Sequence, residues 1–314
     1  MDRVIVNTDT AGDDTQALAL ACLTDCLSVE AVTVVTGNVP FDREVENAKY
    51  TLSLVGSDDV PVFEGARSPL LKDYEHAEEV HGAGGLGGDL HPETGIDSAD
   101  GFGPDALVEH CRDSPGEISL LCIGPLTDLA LAHAREPDLP DLVDEVWVMG
   151  GNVNCAGNVT PAAEFNFWVD PDAARRVLAE FDVTLVDWGL CQRNRLGADL
   201  FDAVESLDTD LAEFFLEVNK QARAFGDDDS VALPDGLTTA LAAYPQLREE
   251  LATYHVAVDE REGLTRGYTS VDVRGLTDGA ERTRVVESAD DEGFETVLLG
   301  MLRDGDPDGA IPSP

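Results

Sequence analysis

Residues 4–14 read Val-Ile-Val-Asn-Thr-Asp-Thr-Ala-Gly-Asp-Asp. Three apolar β-formers run into a polar turn, and helical apolar spacing begins just beyond it at Ala17, Leu18, Leu20, Ala21 and Leu23. That is a strand, a tight turn and a helix spanning Asp13 to Cys26. The unit recurs. Val29–Thr36 is a β-branched strand before a helix over Phe41–Leu54. Ile118–Ile123 precedes a helix over Leu126–Ala134, and Glu145–Met149 ends at Gly150-Gly151. Pro171–Leu178 is a helix opened by proline, followed by the strand Val183–Val186. Repeated βα units imply an α/β fold: an open, mostly parallel but mixed sheet with helices on both faces.

The remainder is less regular. Helices are expected over Asp210–Phe225, Gly236–Ala243 and Phe294–Leu302, with an acidic stretch at 226–230. Val256–Val258, Tyr268–Val273 and Thr283–Val286 read as strands, expected to pair antiparallel. The Gly-, His- and acid-rich segment Tyr74–Gly103 reads as one long loop, and such loops are often functional. At 314 residues the chain reads as a single domain, 1–314, with a loose tail over 304–314.

Charge excludes whole classes of partner. There are 63 acidic and 20 basic residues, a net charge of −43. A surface so acidic repels phosphate backbones and anionic membranes, so neither nucleic acid nor membrane is expected as a partner. Only Lys49, Lys72 and Lys220 are lysines. Acid excess with scarce lysine suits a halophilic interior, where salt screens self-repulsion. No signal peptide and no membrane-length apolar run is seen, so a cytoplasmic location is expected. The six cysteines contain no C-x-x-C pair and read as reduced core thiols.

In a doubly wound sheet, ligands bind beyond the carboxyl ends of the strands. Asp9 stands at the first strand tip, and Asp13 and Asp14 begin the helix. Carboxylates converging without Lys or Arg repel unless a cation joins them, and oxygen-only donors select a hard cation such as Ca²⁺ or Mg²⁺. Asp13 and Asp14 could also merely complement the helix N-terminus. Other strand ends carry Gly37-Asn38, Gly124-Pro-Leu-Thr127-Asp128, Met149-Gly-Gly-Asn152 and Asn158 through Glu164 to Asn166. Amides and carboxylates collected at one sheet edge suit a polyhydroxylated ligand such as a sugar, because each hydroxyl donates and accepts.

These stations resemble, in order, those of the inosine–uridine-type nucleoside hydrolase family. Its opening Asp-x-Asp-x-x-x-Asp-Asp reads Asn7-x-Asp9-x-x-x-Asp13-Asp14 here, and His81-Gly-x-Gly-Gly-Leu-Gly, Ala163-Glu-Phe-Asn166, Asp170-Pro and a late Asp235 follow. The resemblance spans residue 4 to about 245 and implies a Rossmann-like nucleoside hydrolase fold. It implies Ca²⁺-dependent hydrolysis of the N-glycosidic bond of ribonucleosides to base and ribose. Asp9, Asp14, Asp235 and the Thr127 carbonyl would hold Ca²⁺, with Asp9 also taking a proton from the metal-bound water. Asp13, Asn38, Met149, Asn158, Glu164 and Asn166 would form the ribose site. A homodimer or homotetramer is implied as well. The chemistry is coherent, since the oxocarbenium-like transition state is stabilised by surrounding carboxylates.

Two positions depart from the pattern. Asn7 replaces the first Asp, a supporting position where an amide still donates and accepts. Pro234 stands before the late Asp, where many members carry a His that helps the base depart. Proline cannot protonate anything, so His81 is the nearest candidate acid. Two competing functions remain open on sequence grounds. A haloacid-dehalogenase-like phosphatase needs a nucleophilic acid where Asn7 stands. A non-catalytic ribose- or nucleoside-binding protein would not need Asp9 beside a cation.

Overall fold

The computed structural model describes residues 2–88, 90–225 and 230–310. The strands are β1 (Asp2–Thr8), β2 (Leu27–Val34), β3 (Val62–Glu64), β4 (Ile118–Cys122), β5 (Val146–Met149), β6 (Val183–Val186), β7 (Arg248–Tyr254), β8 (Val256–Val258), β9 (Thr269–Val271) and β10 (Thr283–Ala289). Up to β6 the helices are α1 (Asp14–Leu23), α2 (Phe41–Leu54), α3 (Glu78–His81), α4 (Gly103–Asp113), α5 (Thr127–Arg135), α6 (Phe165–Val169) and α7 (Pro171–Glu180). Beyond it come α8 (Trp188–Arg193), α9 (Ala198–Glu205), α10 (Asp210–Phe225), α11 (Pro234–Ala243) and α12 (Asp291–Asp304).

Eight strands form one sheet in the order β3-β2-β1-β4-β5-β6-β10-β7. All neighbours pair parallel except β10 with β7, so the sheet is mixed as expected. The alternation of β1 explains its place. Val4 and Val6 face one core with α1, α2, α11 and α12 residues, while Ile5 faces the other with residues of α4, α5 and α7. Helices therefore cover both faces, and β1 is apolar throughout because both sides are buried.

Several expectations need correction. Thr283–Val286 does pair antiparallel, but with β7, a strand the sequence did not announce, while its other side enters the main sheet parallel to β6; β8 and β9 form a separate antiparallel pair. The Tyr74–Gly103 segment contains α3, and Gly103 itself opens α4, whose Gly-Pro start reads locally as a turn. The tail is not loose from 304. Asp308 accepts hydrogen bonds from the Thr24 hydroxyl (2.9 Å), the Asp25 N–H (2.6 Å) and the Tyr244 hydroxyl (2.9 Å), tying the chain down there. Residues 311–314, and the acidic stretch at 226–229, lie outside the described residues. No helix among the described residues is long and apolar enough to cross a membrane. All six cysteines are unpaired.

Candidate active site

From β1 the chain steps outward to β2 and β3, then returns to β4 on the other flank and continues to β5 and β6. The crevice beyond β1 and β4 is thus the topological switch point of the sheet, where open α/β folds bind ligands. Asp9 follows β1, and the Ile123–Thr127 segment follows β4. The neighbouring turns bring Asn38 from β2 and Met149 from β5, while α11 brings Asp235 at its first turn.

Asp9, Asp14 and Asp235 are buried, and Asp13 is half-buried. One Asp9 oxygen accepts from the Asn38 backbone N–H at 3.0 Å. Asp14 accepts from the Thr8 hydroxyl (2.6 Å), the Ala11 N–H (3.3 Å) and the Asn38 side-chain amide (3.2 Å). Asp13 accepts from the Asp235 N–H at 2.9 Å, which stitches the start of α1 to the start of α11. Burial pushes Asp13 up to about 6 and Asp14 to about 7. Asp9 and Asp235 rise well above the carboxylate range, from burial first and then from repulsion by neighbouring carboxylates.

Among the described residues no lysine or arginine forms an ion pair with any of these acids. Nor do three His, Cys, Asp or Glu side chains already stand as a closed ion site. Asp14 instead spends both oxygens on protein donors. Buried like charges without a basic partner, all offering oxygen, are nonetheless the donor set that a hard cation relieves.

The sugar-directed residues are also gathered. Glu164 caps α6, accepting from the N–H groups of Asn166 (2.9 Å), Phe167 (3.3 Å) and Gly151 (2.8 Å), and burial raises it to about 7. The Asn166 amide donates to the Ile123 and Met149 carbonyls at 3.0 and 3.3 Å, leaving its carbonyl oxygen for a ligand. Met149 is buried beneath it. Asn158 stands apart: it is exposed, and its side-chain oxygen accepts from the Phe165 N–H at 2.9 Å. It braces the loop that carries Glu164.

The long loop does reach the acids. Gly12 donates its N–H to the Gly85 carbonyl at 2.7 Å, and a Cβ on Gly12 would sit 2.1 Å from His81 Nδ1. His81 therefore lies against the Asp-bearing turn itself. Burial lowers it to about 4, so the ring is neutral at neutral pH. Gln221 on α10 donates to the Glu79 carbonyl at 2.9 Å and holds α3 in place.

Three further acids support the site, and of these Glu44 is the one that sequence reasoning missed. Glu44 is buried on α2, accepts from the Gly37 and Val39 N–H groups (2.9 and 3.1 Å), and so shapes the turn carrying Asn38. Asp170 caps α7 and accepts from the Thr127 hydroxyl at 2.7 Å, fixing the residue whose carbonyl is a candidate ligand. Asp128 is buried next to Thr127. The Asp170-Pro171 pair is at least legible as a helix start. Asp128 is legible as part of a strand-end polar set but not as a buried carboxylate, while Glu44 sits in a helical stretch among other acids with no local signal to separate it from surface residues.

The family model for inosine-uridine preferring nucleoside hydrolases matches residues 4–296. The chain belongs to this family. The pyrimidine-specific ribonucleoside hydrolase RihA of Photobacterium profundum is 30% identical over 305 residues, covering 95% of this chain and 98% of its own. A plant nucleoside hydrolase, PpNRh1, superposes with a TM-score of 0.90 at 30% identity, over 96% of this chain and 99% of that one. The purine-preferring ribonucleoside hydrolase of Gardnerella vaginalis gives 0.88 at 25% identity, over 96% and 98%. As a nucleoside hydrolase, the chain is an enzyme that cleaves ribonucleoside N-glycosidic bonds, and the phosphatase and binding-protein readings fall away. Its relatives include both purine- and pyrimidine-directed enzymes, so kinship does not choose the base.

Proposed function

We propose that this nucleoside hydrolase works with one Ca²⁺ held by Asp9, Asp14, Asp235 and the Thr127 carbonyl. The observation that carries the reading is the buried carboxylate cluster at the switch point, which lacks any basic partner among the described residues. Bound there, the ion supplies positive charge that offsets these acids and lowers the pKa of a coordinated water.

The chain's own residues do the rest. Asp9, fixed by the Asn38 N–H, takes a proton from the attacking water. Asp13, Asn38, Glu164 and Asn166 grip the ribose hydroxyls, and the carboxylates among them stabilise the oxocarbenium-like sugar as the base leaves. Met149 lines the sugar face, and Asn158 acts by holding the Glu164 loop. Pro234 opens α11 where an acid could have stood. His81, neutral and packed on Gly12, is the proposed hydrogen-bond partner of the departing base, a reading supported by its position against the Asp-bearing turn.

The −43 charge supports a concentrated-salt setting; a cytoplasmic location and a homodimer or homotetramer are part of the same proposal. The test is a panel of ribonucleosides in molar salt with Ca²⁺ or EDTA, assayed for reducing sugar. Release of ribose that EDTA abolishes and Ca²⁺ restores supports the reading. Full activity in EDTA, or in Asp235→Ala, refutes the metal assignment.

A further inference from the structure

Asn7 and Asp128 face one another across the switch point. The Asn7 side-chain amide donates to Asp128 Oδ2 at 3.2 Å, to the Thr33 hydroxyl at 2.9 Å and to the Thr33 carbonyl at 3.3 Å. The other Asp128 oxygen accepts from the Ala66 N–H at 2.7 Å. Both residues are buried, at 1 % and 0 % exposure. The surroundings are built around this carboxylate. A Cβ on Gly65 would lie 2.0 Å from Asp128 Oδ2, and one on Gly103 would lie 3.0 Å from it. Three elements therefore converge on Asp128 at the start of α5: the tip of β1, the end of β3 and the start of α4.

Asn7 precedes Asp9 by two residues, and Asp128 directly follows Thr127. The hydrogen bond between them thus clasps the two chain segments that carry candidate ligands, one beyond β1 and one beyond β4. Its polarity is also determined. Asn7 and Ala66 both donate to Asp128, and an aspartate at position 7 would set two carboxylates about as close as the present 3.2 Å contact. The family pattern has aspartate at position 7; in this chain the carboxylate of the pair stands on the opposite strand end.

We propose that Asp128 is a positioning residue which, through Asn7, sets the separation of Asp9 from the Thr127 carbonyl, and that the two positions form one exchangeable acid–amide pair. This rests on the reading of Asp9 and Thr127 as cation ligands. The exchange keeps the acid–amide contact and the Ala66 bond, and gives up only the long Asn7 amide hydrogen bond to the Thr33 carbonyl. With the acid moved to position 7 and the amide to position 128, the amide N–H would donate to the relocated carboxylate. The amide oxygen would accept from the Ala66 N–H, and the Thr33 hydroxyl would rotate to donate to the carboxylate.

The experiment is a double-mutant cycle in the full chain: Asn7→Asp, Asp128→Asn and both together. Three quantities are measured: Ca²⁺ affinity by calorimetry, kcat and KM on a ribonucleoside, and the thermal midpoint in EDTA. Each single variant is expected to weaken Ca²⁺ binding roughly ten-fold or more and to lower kcat more than it raises KM. The exchanged pair is expected to return within a few-fold of the native chain. Losses in the double variant equal to the product of the two singles overturn the pairing, as does native Ca²⁺ affinity in Asp128→Asn. If Asn7→Asp fails to fold, recovery of a native-like midpoint in the double variant supports the pair, and continued unfolding overturns it. A native chain that folds yet releases no ribose would sink the proposed function while leaving the thermal cycle readable.

Discussion

Gly37→Ala is the most demanding perturbation of this site. Gly37 is in the turn after β2, and a Cβ built on it lies 1.9 Å from Asp9 Oδ2, 2.7 Å from Asp9 Cγ and 2.8 Å from Asp9 Cβ. The shortest of these is about 1.5 Å inside ordinary non-bonded contact. The clash falls on the whole Asp9 side chain, so a rotation at its tip does not relieve it. On the opposite side a Cβ on Gly124 would be 2.6 Å from Asp9 Oδ1, so Asp9 has little room to retreat. Nor does the turn move freely: Gly37 donates its N–H to Glu44 at 2.9 Å, and its carbonyl is 2.9 Å from His76 Nδ1.

Overpacking of this kind costs about 1–3 kcal/mol of stability, which a chain of this size survives. The cost to catalysis is larger, because moving the proton-accepting carboxylate by roughly 1 Å is worth about 10²-fold. The assay is kcat/KM for ribose release at saturating Ca²⁺, with the thermal midpoint measured in parallel. A folded Gly37→Ala enzyme within three-fold of the native rate would refute the placement of Asp9 at the reacting centre.

Three further outcomes are expected. The pH dependence follows from carboxylates that keep their protons to unusually high pH. Asp14 titrates near 7 in the folded chain against about 4 unfolded, so its contribution to stability is complete below about 4 and is lost as pH rises through 7. Calorimetry should show that the gain in thermal midpoint on adding Ca²⁺ grows from pH 5 to pH 8, and a flat gain would count against carboxylate ligation. His81→Ala should slow natural nucleosides more than a p-nitrophenyl riboside, since the neutral ring can stabilise the departing base only by a hydrogen bond, which matters only where the leaving group needs it; equal slowing would make His81 a loop-positioning group. Asp13→Ala should cost roughly ten- to a hundred-fold through a lost charge-assisted hydrogen bond, with 2′-deoxynucleosides poor substrates for the native enzyme. Equal rates on ribo- and deoxyribonucleosides would contradict the ribose assignment.

Alternating strands and helices are legible in this chain because their signals are local. Val4-Ile-Val6 is apolar on both faces, α2 begins at Phe41 and ends at Leu54 as its spacing predicts, and Asp170-Pro171 marks a helix start. Asp9, Asp13 and Asp14 could be picked out as a set because one turn carries them all. Asp235 could be joined to them only through a resemblance in order, since nothing nearby in the chain ties it to residue 9. What tertiary structure alone decided lies in contacts between segments far apart in sequence. The three-residue β3 and the exposed edge strand β7 take their conformation from hydrogen bonds to neighbours rather than from their own pattern. Likewise, in a chain with 63 acids, no composition rule tells a buried Glu44 or Asp128 from a solvated one. Burial is a property of what packs above a side chain, and for Asp128 that is Gly65, Gly103 and Asn7, residues from other elements brought together only when the sheet closes.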